Sequence, residues 1–134
     1  MKSFQVSVSI ISDADIVTAR QQARELAKTF GFSSSELAVI AAAISELARN
    51  IVSYAKKGTI FVKLIQEQGK KGVLIVAEDQ GPGIPDLHLA MQDGYSTMNS
   101  LGLGLPGVKR LMDTFEIQST VGQGTAVTAK KWVM

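Results

Sequence analysis

The chain has 134 residues, 46% of them hydrophobic, with 12 glycines and a formal net charge of +2, a balance that suits one compact soluble domain and excludes a disordered one. It contains no cysteine and a single histidine, His88, which excludes a disulfide framework, a thiolate metal centre and an imidazole cluster. Its lysines are scattered without a basic stripe, so no nucleic-acid partner is expected, and no run approaches a membrane span, so the expectation is a cytoplasmic protein without membrane insertion.

Phe4, Val6, Val8 and Ile10 alternate with polar residues, the period of a half-buried strand and not of an export signal. From Ser12 the period becomes helical, with Ile16, Ala19, Ala23, Leu26, Ala27 and Phe30 on one face and Gly31 in the position of a C-terminal cap. Ser33 and Glu36 stand at capping-box spacing before a second helix that buries Leu37, Ile40, Ile44, Leu47, Ala48 and Ile51 and ends before Lys56, Lys57 and Gly58. The segments TIFVKLI and GVLIVAE, joined by EQGKK, predict a hairpin. Residues 86–101 are weakly patterned, with one possible short helix over Leu87 to Met91, and 92–103 is the candidate mobile segment. A helix over about Leu105 to Met112 and a last hairpin, FEIQSTV and TAVTAKKWV around GQG, complete the chain. Hairpins separated by helices predict a single α+β domain, a two-layer α/β sandwich whose sheet is mixed but mostly antiparallel and is covered by helices on one face.

Four places carry chemistry. Glu46 and Asn50 are spaced i, i+4 on the second helix; a carboxylate and an amide so placed can orient a hydroxyl or ligate a hard cation, and they can equally be a solvated helix face. In EDQGPGIPD, Asp79 sits where a strand leaves the core, where a carboxylate faces solvent or a pocket, and Gly81 and Gly83 with their prolines suit a turn. LGLGLPGVKRL holds Gly102, Gly104 and Gly107 in a literal GxGxxG. Polar DGYSTMNS stands where a dinucleotide fold needs a hydrophobic strand, so that interpretation fails, leaving backbone amides at a helix start that can hold phosphate or a flexible loop that caps a helix. GQGT at 122–125 forms a hairpin turn, and Thr125 begins a strand that can neighbour the one ending at Asp79.

Taken in order, Glu-x-x-x-Asn on a helix, Asp-x-Gly-x-Gly after a strand, Gly-x-Gly before a helix and Gly-x-Gly-Thr in a hairpin resemble the nucleotide-binding pattern of the GHKL superfamily, over almost the whole chain. The segments AISELARNI, AEDQGPGIPD and GLGLPGVKRLMD look like the small serine/threonine kinases of bacterial partner-switching systems, most of all the stressosome switch kinases. Related anti-sigma-factor kinases usually carry a small residue and threonine in the middle of the first motif, with a histidine shortly after its asparagine, whereas SELARNIVSYA has no such histidine.

The resemblance implies the Bergerat fold and a protein serine/threonine kinase using ATP and magnesium. Its substrate would be a STAS-domain protein, and after release from it the kinase would bind and activate a downstream protein phosphatase. Asp79 would accept from the adenine amine beside Gly81 and Gly83, with Thr125 in support. Gly102 and Gly104 would contact phosphate, Asn50 would ligate magnesium, and Glu46 would be the catalytic carboxylate. The alternative is an anti-sigma factor or nucleotide-gated binding module on the same fold.

Overall fold

A computed structural model describes residues 5–84, Met91 and 104–134. The elements follow in the order β1 (Val6–Ile10), α1 (Asp13–Lys28), α2 (Ser34–Asn50) with a π-helical continuation Ile51–Ala55, β2 (Gly58–Glu67), β3 (Lys70–Asp79), α3 (Gly104–Leu111), β4 (Thr114–Thr120) and β5 (Gly124–Trp132). The possible short helix before Met91 and all of the candidate mobile segment lie outside the described residues.

The strands form one five-stranded sheet in the order β1-β2-β3-β5-β4. All four pairings are antiparallel, where the sequence had allowed a mixed sheet. The alternation that predicted each strand also sets its face: Val8 and Ile10 of β1, Ile60 and Val62 of β2, Val73, Ile75 and Ala77 of β3, and Val127 and Ala129 of β5 share one core with the buried faces of α1 and α2. The face of α1 in this core is Ile16, Ala19, Ala23 and Ala27, and its small alanines let α1 lie close to α2. The helices thus cover one face of the sheet.

The β2–β3 hairpin runs further than predicted. Glu67 pairs with Lys70, so only Gln68 and Gly69 turn the chain, both at positive φ (52° and 80°), the backbone that matches strand twist in a two-residue hairpin. From Ser34 to Ala55 the α2 helix and its continuation are long and apolar enough to cross a membrane by length and composition, which the sequence had not suggested. Leu37, Ile40, Ile44 and Leu47 of this helix are buried in the domain core.

The capping box at the start of α2 is formed as predicted: the Glu36 N–H donates to Ser33 Oγ (3.1 Å) and the Ser33 N–H donates to Glu36 Oε1 (2.8 Å). The other carboxylate oxygen accepts from the Met134 N–H at 3.0 Å, tying the end of the chain to α2. The Ser33 amide first, and the Met134 amide after it, hold the Glu36 carboxyl below its ordinary range. A carboxyl whose pKa is lowered by folding adds stability above its unfolded pKa and loses it as the pH falls through the folded value. Glu36→Gln should therefore destabilise the protein at about pH 7, and its deficit relative to wild type should shrink towards about pH 3, as measured by urea unfolding. A deficit independent of pH would show that the charge contributes nothing.

Candidate functional site

Contacts among the described residues link the sequence motifs one to the next. Asp79 is the last residue of β3, opposite Gly58 on β2 and Thr125 on β5. Its Oδ1 accepts from the Gly81 N–H at 2.8 Å, which folds the loop back beneath the carboxylate. A Cβ on Gly81 would lie 2.6 Å from the Ala55 Cβ, so this glycine seats the loop against the π-helical end of α2. Gly83 has φ +79°, and a Cβ there would come within 2.5 Å of the Thr120 carbonyl oxygen. The Gly122 N–H adds a bond to the Pro82 carbonyl (2.8 Å). Among the described residues, then, the glycines expected to lie against a ligand also let the loop lie against its own chain on two sides.

Ser119 is the residue that the sequence reasoning missed. Its Oγ accepts from the Ile84 N–H (2.7 Å), lies 2.9 Å from Thr125 Oγ1 and donates to the Gly124 carbonyl (3.2 Å). One hydroxyl thereby joins the loop after Asp79 to the start of β5. The available signal was the hairpin itself, since Ser119 and Thr125 stand three residues either side of Gly122 and pair across β4 and β5.

Glu46 departs from the solvated-face alternative, because the residue is only 3% exposed. Its Oε1 accepts from Arg49 Nη1 (2.5 Å), and its Oε2 accepts from the backbone N–H of Gly104, the first residue of α3, at 3.2 Å. Burying a carboxylate costs free energy unless it is paired and hydrogen-bonded. Asn50, one turn after Glu46, is half-exposed at the end of α2, where the helix widens into its π-helical turn, a local geometry often found at functional sites. Glu46 thus joins α2 to α3, Gly81 joins the loop after β3 to the end of α2, and the β3–β5 pairing brings Thr125 beside Asp79. Gly102 lies outside the described residues. No group of three His, Cys, Asp or Glu side chains able to hold a metal occurs among the described residues.

Residues 12–131 match the family described as a histidine kinase-like ATPase domain. The chain belongs to this family. Serine/threonine-protein kinase RsbT of Bacillus subtilis is 54% identical over 129 residues, which cover 96% of this chain and 97% of that protein. An anti-sigma F factor of a Thermoanaerobacter species is 32% identical over 104 residues, 73% of this chain and 71% of that protein. The crystal structure of the RsbU and RsbW domains of a Mycobacterium tuberculosis protein matches with a TM-score of 0.59 at 21% identity, covering 95% of this chain and 32% of that longer one. This last likeness supports the fold, and it agrees with the α+β sandwich expected from the sequence. As a histidine kinase-like ATPase similar to RsbT along nearly its full length, the protein uses ATP and is a serine/threonine-protein kinase.

In this histidine kinase-like ATPase, Ser119→Ala would leave the Ile84 N–H without its acceptor and Thr125 without its hydroxyl neighbour. Urea unfolding should show a loss of about 1 to 3 kcal/mol, the cost of stranding part-buried polar groups. A loss below about 0.5 kcal/mol would mean that solvent replaces the hydroxyl.

Proposed function

We propose that the protein is a cytoplasmic, magnesium-dependent kinase of a bacterial partner-switching system of the stressosome type. In this role it transfers the γ-phosphoryl group of ATP to a serine or threonine of a STAS-domain protein. Once released from that substrate it binds and activates a downstream protein phosphatase. The observation that carries the enzymatic part is the buried Glu46 carboxylate, held by Arg49 and by the first amide of α3, one helical turn from Asn50. A module that only binds nucleotide has no need of a desolvated carboxylate at this place. The 54% identity with RsbT along nearly the whole chain, against 32% with the anti-sigma F factor, supports the switch kinase over the anti-sigma factor.

In this proposal Asp79 accepts a hydrogen bond from the exocyclic amine of adenine, at the strand end where Gly81 and Gly83 keep the loop low. Thr125, opposite Asp79 and fixed by Ser119, supports the same end of the base. Gly104, and Gly102 before it, present backbone amides to the phosphates. Magnesium, when bound through the oxygen of Asn50 and the phosphates, would screen the charge of the transferring group. Glu46 orients the acceptor hydroxyl. As its oxygen bonds to the γ-phosphorus, the bond to the leaving ADP oxygen breaks and the hydroxyl proton passes to Glu46. A loose transition state does not require that proton to leave early, so an ordinary glutamate suffices.

Glu46→Gln keeps the shape and removes the charge. Single-turnover transfer from labelled ATP to a purified STAS-domain protein encoded beside the kinase gene should fall by about 10² to 10⁴-fold, the loss expected of a removed general base. Binding of ATP and of the partner should stay close to normal, and a wild-type transfer rate would remove Glu46 from the chemistry. If the wild-type protein transferred phosphate to no such partner yet bound it in a nucleotide-dependent way, the binding-module alternative would stand. Asp79→Asn should weaken ATP binding by about 1.5 to 3 kcal/mol, the range for a hydrogen bond to a charged group. Calorimetry checks this, and unchanged affinity would refute the adenine assignment.

A further inference from the structure

Arg49 interrupts the first motif with a charge that pairs with Glu46. Its side chain is 44% exposed and that of Glu46 is 4% exposed, yet Nη1 reaches Oε1 across i, i+3 of α2. The guanidinium therefore keeps part of its hydration while one edge enters the buried site, which lowers the desolvation cost that a fully buried pair would carry. We propose that Arg49 is a positioning residue for phosphoryl transfer, holding the Glu46 carboxylate in the orientation from which it meets the acceptor hydroxyl. This inference rests on the assignment of Glu46 to that hydroxyl.

The geometry carries the step. One oxygen of Glu46 is held by Arg49 on its own helix and the other by Gly104 on α3. Two anchors on different oxygens fix the plane of the carboxylate in this structure, and Arg49 is the one that the proposed function does not also give to a phosphate. Two ionised oxygens offer about four acceptor positions, so both bonds leave room for a hydroxyl to donate to the same group. Arginine stays protonated under all ordinary conditions and brings no acceptor of its own. It therefore neither competes for the hydroxyl proton nor occupies the position of the substrate oxygen. Lysine would supply the charge without the planar donor edge.

The test uses the full chain in four forms besides wild type: Arg49→Met, Arg49→Lys, Glu46→Gln and the double variant Arg49→Met with Glu46→Gln. Arg49 is exposed enough for both of its single substitutions to fold, and thermal unfolding checks that they do. Arg49→Met should slow single-turnover transfer to the same STAS-domain protein by roughly 10- to 100-fold, as a misplaced catalytic group does. ATP affinity should stay within about twofold, since the side chain acts on the carboxylate and not on the nucleotide. Arg49→Lys should recover part of the rate. In the Glu46→Gln background, Arg49→Met should cost nothing more, because a residue that acts through another has no effect once that other is gone. A slow Glu46→Gln with a full-rate Arg49→Met overturns the positioning role alone, and so does an equal Arg49→Met loss in both backgrounds, which would place Arg49 on the substrate or phosphate. A full-rate Glu46→Gln overturns the underlying assignment and the inference with it.

Discussion

The register between β3 and β5 is the constraint on which the site depends. Val73, Ile75 and Ala77 point into the core from β3, and Val127 and Ala129 do so from β5, so the two strands have one pairing that buries both apolar sets. That pairing sets Asp79 opposite Thr125. A slip of one residue would turn the apolar side chains to solvent and separate the two polar ones. The position of the polar pair is thus a consequence of hydrophobic burial several residues away. Because β3 lies at the centre of the five strands, with β2 holding its other edge, neither neighbour can shift without disturbing the core.

The second constraint runs through α2. Its apolar face enters the core, and the same helix has to hold a carboxylate between buried neighbours. Glu46 lies between Ser45 and Leu47, within an unbroken buried stretch from Ala43 to Ala48. An unpaired carboxylate at such a place would destabilise the fold. Arg49 and the Gly104 amide remove that conflict, and the same bonds tie α3 to α2. Burial, charge compensation and the packing of α3 against α2 are therefore one arrangement.

Much of this was legible in the sequence. Period-two and period-3.6 patterns placed five strands and three helices, and the Ser33 and Glu36 pair marked the start of α2 correctly. The neighbourhood of Thr125 and Asp79 was anticipated, and β3 does pair with β5, but alternation alone says which face a residue takes and not which strand lies beside it, so the full order was not legible. The exposure of Glu46 could not be judged either. Spacing put it on the face of Asn50, offset from the apolar stripe, but the element that covers it is α3, more than fifty residues later. Ser119 was hidden for a related reason, since a serine in a strand gives no sign of its cross-strand neighbour until the hairpin register is known.

A single amide proton links the two halves of the proposed reaction. The Gly104 N–H donates to Glu46 in the structure, and the proposed function gives the same N–H to a phosphate of ATP. One hydrogen does not serve both acceptors at full strength. A nucleotide that takes it draws on the bond that holds Oε2 of Glu46, and the carboxylate is then left with Arg49 as its holding contact and with a freed oxygen for the hydroxyl. In the proposed function, seating of the phosphates and presentation of Glu46 would be coupled through this one amide. The coupling also gives a physical reason for an arginine at position 49: a carboxylate that loses one anchor as the nucleotide arrives needs the other to be one that titration does not remove.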